Sequence, residues 1–304
     1  MRVSHGPRIA ISQLHLVPTS PEKLRKKYRD LVEKAAREGA DILVLPEYAG
    51  LEWAPPRITG AVAQFAALQD VLSDYLAFWQ EMSDTHDLCI QPGTIPVAAK
   101  ESQYFNRAWL FRPQQPVAYQ DKLNLTAYEQ QSRLIVKGDT LSVFSTLYGT
   151  VGIAICYDVE FPDLVRRLAI AGAKWILVPS CTDSRAGFFR VHLSCRVRAL
   201  ENQVYIANAC LVGAAPWNDF IDASHGSGGV FAPMDIGFPE DGVLIQGEWD
   251  QETLLVSSPL PERKLEQVRN KGAVRNFTDN QNFSHQVAKL TVRSISWQDK
   301  RAPT

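Results

Sequence analysis

Cys156 stands where an apolar, β-branched run stops. Val151 to Ile155, with Gly149 before it and Gly152 within it, reads as a buried strand. Pro162 then marks where a helix can begin without losing a needed amide donor. A cysteine at such an elbow is lifted out of the core, and the backbone N–H of the next residue, Tyr157, can face an oxyanion. A thiolate nucleophile for acyl transfer requires that placement. For a cysteine taken alone, the competing reading is a small buried hydrophobe at a strand end. Two other polar residues share its situation. Glu47 directly follows the short apolar strand DILVLP at 41–46, and Lys122 ends the second arm of a hairpin read over Ala108–Phe111 and Val117–Gln120. Each alone could be a solvated strand-end charge. Strand ends are where α/β proteins gather their sites, so the repetition favours the chemical reading of all three.

The elements that must position these residues alternate along the chain. A strand is expected over Arg8–Leu14, then a helix that opens at Ser20-Pro21-Glu22 and ends at Gly39, with Leu24, Tyr28, Leu31, Val32 and Ala35 on one face. Gly60 to His86 reads as a long helix and Leu88 to Thr94 as one strand. Leu123 to Gly138 is a loop or short helix holding Tyr128 and Glu129. Further strands are expected over Leu141–Ser145, Thr150–Ile155, Trp175–Pro179 and Val204–Ala209, with helices over Asp163–Ala171 and Phe188–Asn202. A glycine-rich turn leads into a strand at Gly226–Pro233, and Val243–Trp249 with Thr253–Ser257 reads as a last hairpin. After Pro261 the composition turns polar, which predicts a short helix and an extended arm. Alternating strands and helices fit one layered α/β domain better than two domains.

Composition bounds the partners. The chain has 304 residues, 45% hydrophobic, with a net charge of −1 and no long run of one sign. That argues against nucleic acid or an anionic membrane surface as the main partner. The five cysteines are scattered without a CxxC pair, so neither a disulfide framework nor a metal site is expected, and a reducing, cytoplasmic location is. No apolar run approaches the roughly 20 residues that span a bilayer.

The order of LPEY at 45–48, QDKLNLTAYE at 120–129 and ICYDVEFPD at 155–163 resembles the nitrilase, or carbon–nitrogen hydrolase, superfamily, with the likeness running from about residue 8 to 260. The resemblance implies a four-layer α-β-β-α sandwich in residues 1–261, with 262–304 as a C-terminal arm or tail. It implies protomers paired as a homodimer or a higher homo-oligomer, and no cofactor. The substrate would be a small-molecule amide or nitrile. Cys156 would attack its carbon, Glu47 would act as the base, and Lys122 with the N–H of Tyr157 would stabilise the tetrahedral intermediate. Glu129 matches a second glutamate that orients the lysine and the substrate in many members.

Two departures narrow the reading. Asn124 stands where many members have histidine, and Tyr157-Asp158 follows the cysteine where true nitrile hydrolases usually carry Trp-Glu. The pair looks more like the amidase branches. PSCTDSRAG at 179–187 with RALENQ at 198–203 resembles a bacterial branch, some members of which are fused to an acetyltransferase domain. Asp158 is equally suited to structure, as a turn cap or an arginine partner. Substrate walls are expected from Tyr48, Trp53, Tyr128, Asp183 and Phe188, with ordinary packing as the competing role for the aromatic ones. Against a hydrolase stand an acyltransferase using the same thioester and a non-catalytic binding protein.

Overall fold

The computed structural model describes residues 5–100, 102–287 and 289–293. The chain opens with β1 (Ile9–Leu14), α1 (Pro21–Arg37), β2 (Ile42–Val44), α2 (Ala61–His86), β3 (Cys89–Gln91) and β4 (Thr94–Ala98). It continues through β5 (Tyr104–Leu110), β6 (Ala118–Asp121), α3 (Ala127–Ser132), β7 (Ile135–Val136), β8 (Val143–Thr146) and β9 (Gly149–Ile153). Then come α4 (Pro162–Ile170), β10 (Trp175–Ser180), α5 (Arg185–Asn202), β11 (Tyr205–Leu211), β12 (Gly213–Ala214) and β13 (Ala223–Ser224). The last elements are β14 (Gly229–Phe231), β15 (Val243–Gln246), β16 (Thr253–Val256), α6 (Glu262–Lys271) and α7 (Asn276–Val287).

The larger sheet runs β3-β2-β1-β11-β10-β9-β8. Its five central pairings, from β3 through β9, are parallel, as strand–helix–strand connections require. β14 adds to β11, β15 to β14, and β16 to β1, all antiparallel. The smaller sheet is β4-β5-β6, with β7 parallel to β5. Successive side chains of β1 serve different cores, as the two-residue period of a strand dictates. Ala10 and Leu14 join the cluster under α1 and α2, with Tyr28, Phe65 and Trp79. Ile9 and Ile11 join the cluster that also holds Val165, Leu168, Val191 and Cys195 from α4 and α5. Ala108 and Leu110 of β5, from the smaller sheet, share the second cluster, so both sheets and the helices α4 and α5 meet in one layered α/β core.

Three expectations are corrected. The strand expected over Leu88–Thr94 is two strands in different sheets, because Pro92 and a left-handed Gly93 (φ +75°) turn the chain between them. The expected last hairpin does not form: β15 pairs with β14 and β16 with β1. Alternation identifies a strand but not its partner, and the open flank of β1 takes β16 instead. In the polar tail the expected short helix forms as α6, but a second helix, α7, stands where an extended arm was expected. Leu265 and Val268 of α6 are buried, and the guanidinium of Arg269 donates to the carbonyls of Asn202 and Gln203. Phe277 of α7 lies against Arg166 and Arg269, whereas Phe283 is exposed. Trp297, further along the polar tail, lies outside the described residues.

Candidate active site

Each predicted reactive residue sits just past a strand. Glu47 follows β2, Lys122 follows β6, and Cys156 opens a short helical turn after β9 (Cys156–Glu160). Cys156 adopts φ +46°, the left-handed region that non-glycine residues rarely occupy. Such strain persists only where surrounding packing imposes it, and it marks a sharp elbow at the strand end. The elbow is tied to the lysine loop by Asp158, whose carboxylate accepts from the N–H groups of Leu123 and Asn124 and from the Asn124 side chain. Asp158 therefore has a structural partner, and it is not an arginine.

The three chain-distant residues meet. Lys122 Nζ donates to Glu47 Oε1 and to Glu129 Oε1, both at 2.8 Å. All three side chains are almost wholly enclosed. An ammonium carries three N–H bonds, so one remains for a further acceptor. Glu129 is anchored from three more directions. Tyr48 donates its hydroxyl to Oε1 at 2.6 Å, and Thr126 donates its N–H and its hydroxyl to Oε2. Thr126 and Glu129 form a reciprocal capping box at the start of α3. The T-x-x-E spacing in the sequence is the signal that would have located this device. Cys156 Sγ points at the carbonyl of Cys181, 3.5 Å away, and the N–H of Cys181 donates to Glu47 Oε2 at 3.0 Å.

One lysine between two carboxylates does not make them equivalent. Burial raises the Glu47 carboxyl above its ordinary range. Lys122 pulls it back, Glu129 pushes it up again, and hydrogen bonds from Lys122 and the Cys156 thiol lower it only in part. Burial also opposes ionisation of Glu129, but Lys122 and the donors from Tyr48 and Thr126 prevail and hold it below the usual range. Carboxyls pushed apart in this way take different roles: Glu47 can exchange a proton, while Glu129 stays anionic. Burial alone would favour neutral Lys122, yet Glu47 and Glu129 keep it charged, well above the ordinary lysine value. Burial, reinforced by the Glu47 charge, pushes the Cys156 thiol well up. The sulfur therefore rests as a thiol, a form that becomes nucleophilic only when a base removes its proton.

The remaining expected residues distribute around this cluster. Tyr48 and Tyr128 both pack their rings on Phe220, and Tyr128 is half exposed. Phe188 packs edge-on against Trp249, whose ring stacks over His225. The backbones of His225 and Thr182 bond to one another, next to Cys181. Asp183 is exposed just before α5 and accepts from Ser184 Oγ. Trp53 packs among Tyr28, Tyr75 and Phe78, under α1 and α2. The Tyr157 ring packs edge-on against Phe161, and its N–H lies in the first turn after Cys156, where intrahelical acceptors are lacking. Sequence reasoning missed Asn106, which is fully buried and donates Nδ2 to Glu47 Oε1 at 2.8 Å, and the backbone of Cys181. Asn106 sits inside β5 with no mark that separates it from other strand residues. Among the described residues, no cluster of side chains is suited to hold a metal ion.

Two sheets flanked by helices, with glutamate, lysine and cysteine at strand ends, define a nitrilase-type sandwich. Yeast Nit3 (Saccharomyces cerevisiae), of branch 10 of the nitrilase superfamily, superposes with a TM-score of 0.70 at 22% identity, covering 87% of this chain and 93% of its own. An amidase from Nesterenkonia sp. gives 0.67 at 22% identity, covering 95% and 98%. Residues 8–247 match the Carbon-nitrogen hydrolase family, and the chain belongs to that family, a class of hydrolases acting on C–N bonds other than peptide bonds. Among curated relatives, the probable hydrolase YhcX of Bacillus subtilis is 33% identical over 212 residues, which span 70% of this chain and 41% of that longer protein. The omega-amidase NIT2-B of Xenopus laevis is 27% identical over 210 residues, 66% of this chain and 73% of its own.

Proposed function

We propose that the chain hydrolyses a small-molecule carboxamide through a thioester on Cys156. The observation that carries this is Glu47, bonded at once to Lys122 and to the Cys181 N–H, with the Cys156 thiol facing the carbonyl of that same residue. Glu47 takes the thiol proton as sulfur bonds to the carbonyl carbon. The free N–H of Lys122 and the N–H of Tyr157 receive the negative oxygen. The C–N bond then breaks, the proton passes from Glu47 to nitrogen, and ammonia or an amine leaves. Glu47 next takes a proton from water, which adds to the thioester. The C–S bond breaks, acid departs, and the proton returns to sulfur. Glu129 holds the lysine in place throughout. The relatives named as omega-amidases, with Tyr157-Asp158 after the nucleophile, support an amide rather than a nitrile.

Asp183, Tyr128 and Phe188 are assigned to substrate selection on the loops around the strand ends, and an unchanged substrate profile in Asp183→Asn would remove Asp183 from that set. A homodimer is proposed through α5, where Phe189, Leu193 and Val197 expose an apolar stripe at four-residue spacing. Leu193→Glu should then halve the mass seen by light scattering. All five cysteines are free, which suits a reducing compartment such as the cytoplasm.

The test of the reaction is a panel of amides and nitriles, with ammonia followed and the intact mass monitored for an acyl adduct. Ammonia release with an adduct that Cys156→Ala abolishes is the expected result. A product formed only with an added acceptor would make the protein an acyltransferase. Neither ammonia nor adduct would overturn the enzyme reading.

A further inference from the structure

The orphan atom in the cluster is Asn106 Oδ1. It is buried with no hydrogen-bond partner, while Nδ2 of the same amide donates to Glu47. Buried acceptors are rarely left unpaired, and an amide could relieve this by turning over. It cannot do so here, because an ionised carboxylate offers no donor to a carbonyl oxygen. The side chain is committed to Glu47 at the expense of its own second atom.

The consequence lies in how the two carboxylate oxygens of Glu47 are filled. Oε1 accepts from Asn106 Nδ2 and from Lys122 Nζ, each at 2.8 Å, which occupies its two lone-pair directions. Oε2 accepts from the Cys181 N–H at 3.0 Å, the carbonyl of that same residue accepts from Cys156 Sγ, and the Cys156 thiol is itself within reach of the Glu47 carboxylate. We infer that Asn106 is a positioning residue: by closing Oε1 together with Lys122, it leaves Oε2, the oxygen bonded to the residue whose carbonyl faces the Cys156 thiol, as the atom that receives and returns the proton. This rests on Glu47 being the base of the proposed reaction. Asn106 has a second effect in the same direction. A neutral donor steadies the carboxylate without adding charge, and so limits the rise that burial imposes.

The titratable groups facing Glu47 are Lys122, Glu129, Cys156 and Cys181, with Tyr48 reached through Glu129 and Asp158 beyond Lys122. Lys122 stays charged, Glu129 stays anionic, and burial pushes the Cys181 thiol up to about 12. Burial also raises the Asp158 carboxyl, so an Asp158→Asn control separates its titration from the acid limb assigned to Glu47.

Two variants test the inference, Asn106→Leu and the near-isosteric Asn106→Asp. The primary readout is the pH dependence of Cys156 alkylation by iodoacetamide, followed by intact mass with a Cys156→Ala control. In that step sulfur bonds to carbon, iodide leaves, and Glu47 takes the thiol proton. Asn106→Leu should change Tm little, since the orphan acceptor is removed while Glu47 loses a donor that steadies its charge. Its acid limb should move up by about half a pH unit or more, with kcat about tenfold lower and KM nearly unchanged. Asn106→Asp should move the limb further, because a second carboxylate then shares the site. An acid limb that stays in place in whichever variant folds overturns the inference, as does a loss of activity that only follows a loss of Tm. If the limb moves but the wild type turns over no amide, the amidase reading fails and the role of Asn106 stands.

Discussion

Glu47, Lys122 and Glu129 carry a net charge of −1 in a space almost closed to water. Desolvating that excess charge is what lifts Glu47 above its ordinary range. A group raised by folding contributes stability that is present below its unfolded value and is lost as pH rises through the folded one. Glu47→Gln should therefore unfold at the wild-type Tm or above it at pH 7, while ammonia release falls about a thousandfold or more. Glu129 has the opposite sign. Its folded value is lowered, so its contribution is present above about pH 4.3 and is lost as pH falls through the folded value. Glu129→Gln should weaken the fold at pH 7 and flatten the fall of Tm on the acid side, as read by thermal unfolding across pH.

At the scale of elements, the site depends on turns that hold reactive side chains at strand ends. Gly93, between β3 and β4, packs so close to the Pro46–Glu47 turn that an added Cβ would lie 1.9 Å from the Pro46 carbonyl. Its positive φ disfavours a side chain as well. Gly93→Ala should therefore displace Glu47 as it destabilises the protein. The expected outcome is a lower kcat in the fraction that remains folded, measured after active-site titration of Cys156. The capping box of α3 works the same way, because its glutamate is also the carboxylate that steadies Lys122. Thr126→Ala should lose about 1 kcal/mol of stability by chemical denaturation, together with a drop in kcat. A cap that served only the helix would leave kcat alone.

Across the whole molecule, the C-terminal helices close the outer layer. Trp175 donates its indole N–H to the carbonyl of Leu260, and Tyr205 its hydroxyl to that of Pro261. Arg166 reaches the carbonyl of Phe277. Truncation after Pro261 would expose the surfaces that Leu265 and Val268 cover. At about 1.5–3 kcal/mol for each buried side chain, Tm should fall by about 6 °C or more in calorimetry. Among the described residues, no helix is long and apolar enough to cross a membrane.

What the amino-acid order determined by itself was local. Apolar periods placed most strands and helices, and the polar residues that end three strands marked Glu47, Lys122 and Cys156 as a set. The T-x-x-E run at 126–129 was equally readable. The tertiary structure alone decided which edges pair. Nothing near residue 243 or 253 states that β15 will join β14 and β16 will join β1, because open edges compete for partners across the whole chain. It likewise decided that a strand asparagine and the peptide of Cys181 would meet Glu47. Their chemistry arises from neighbours 59 and 134 residues away, and no period in the sequence carries a contact of that range.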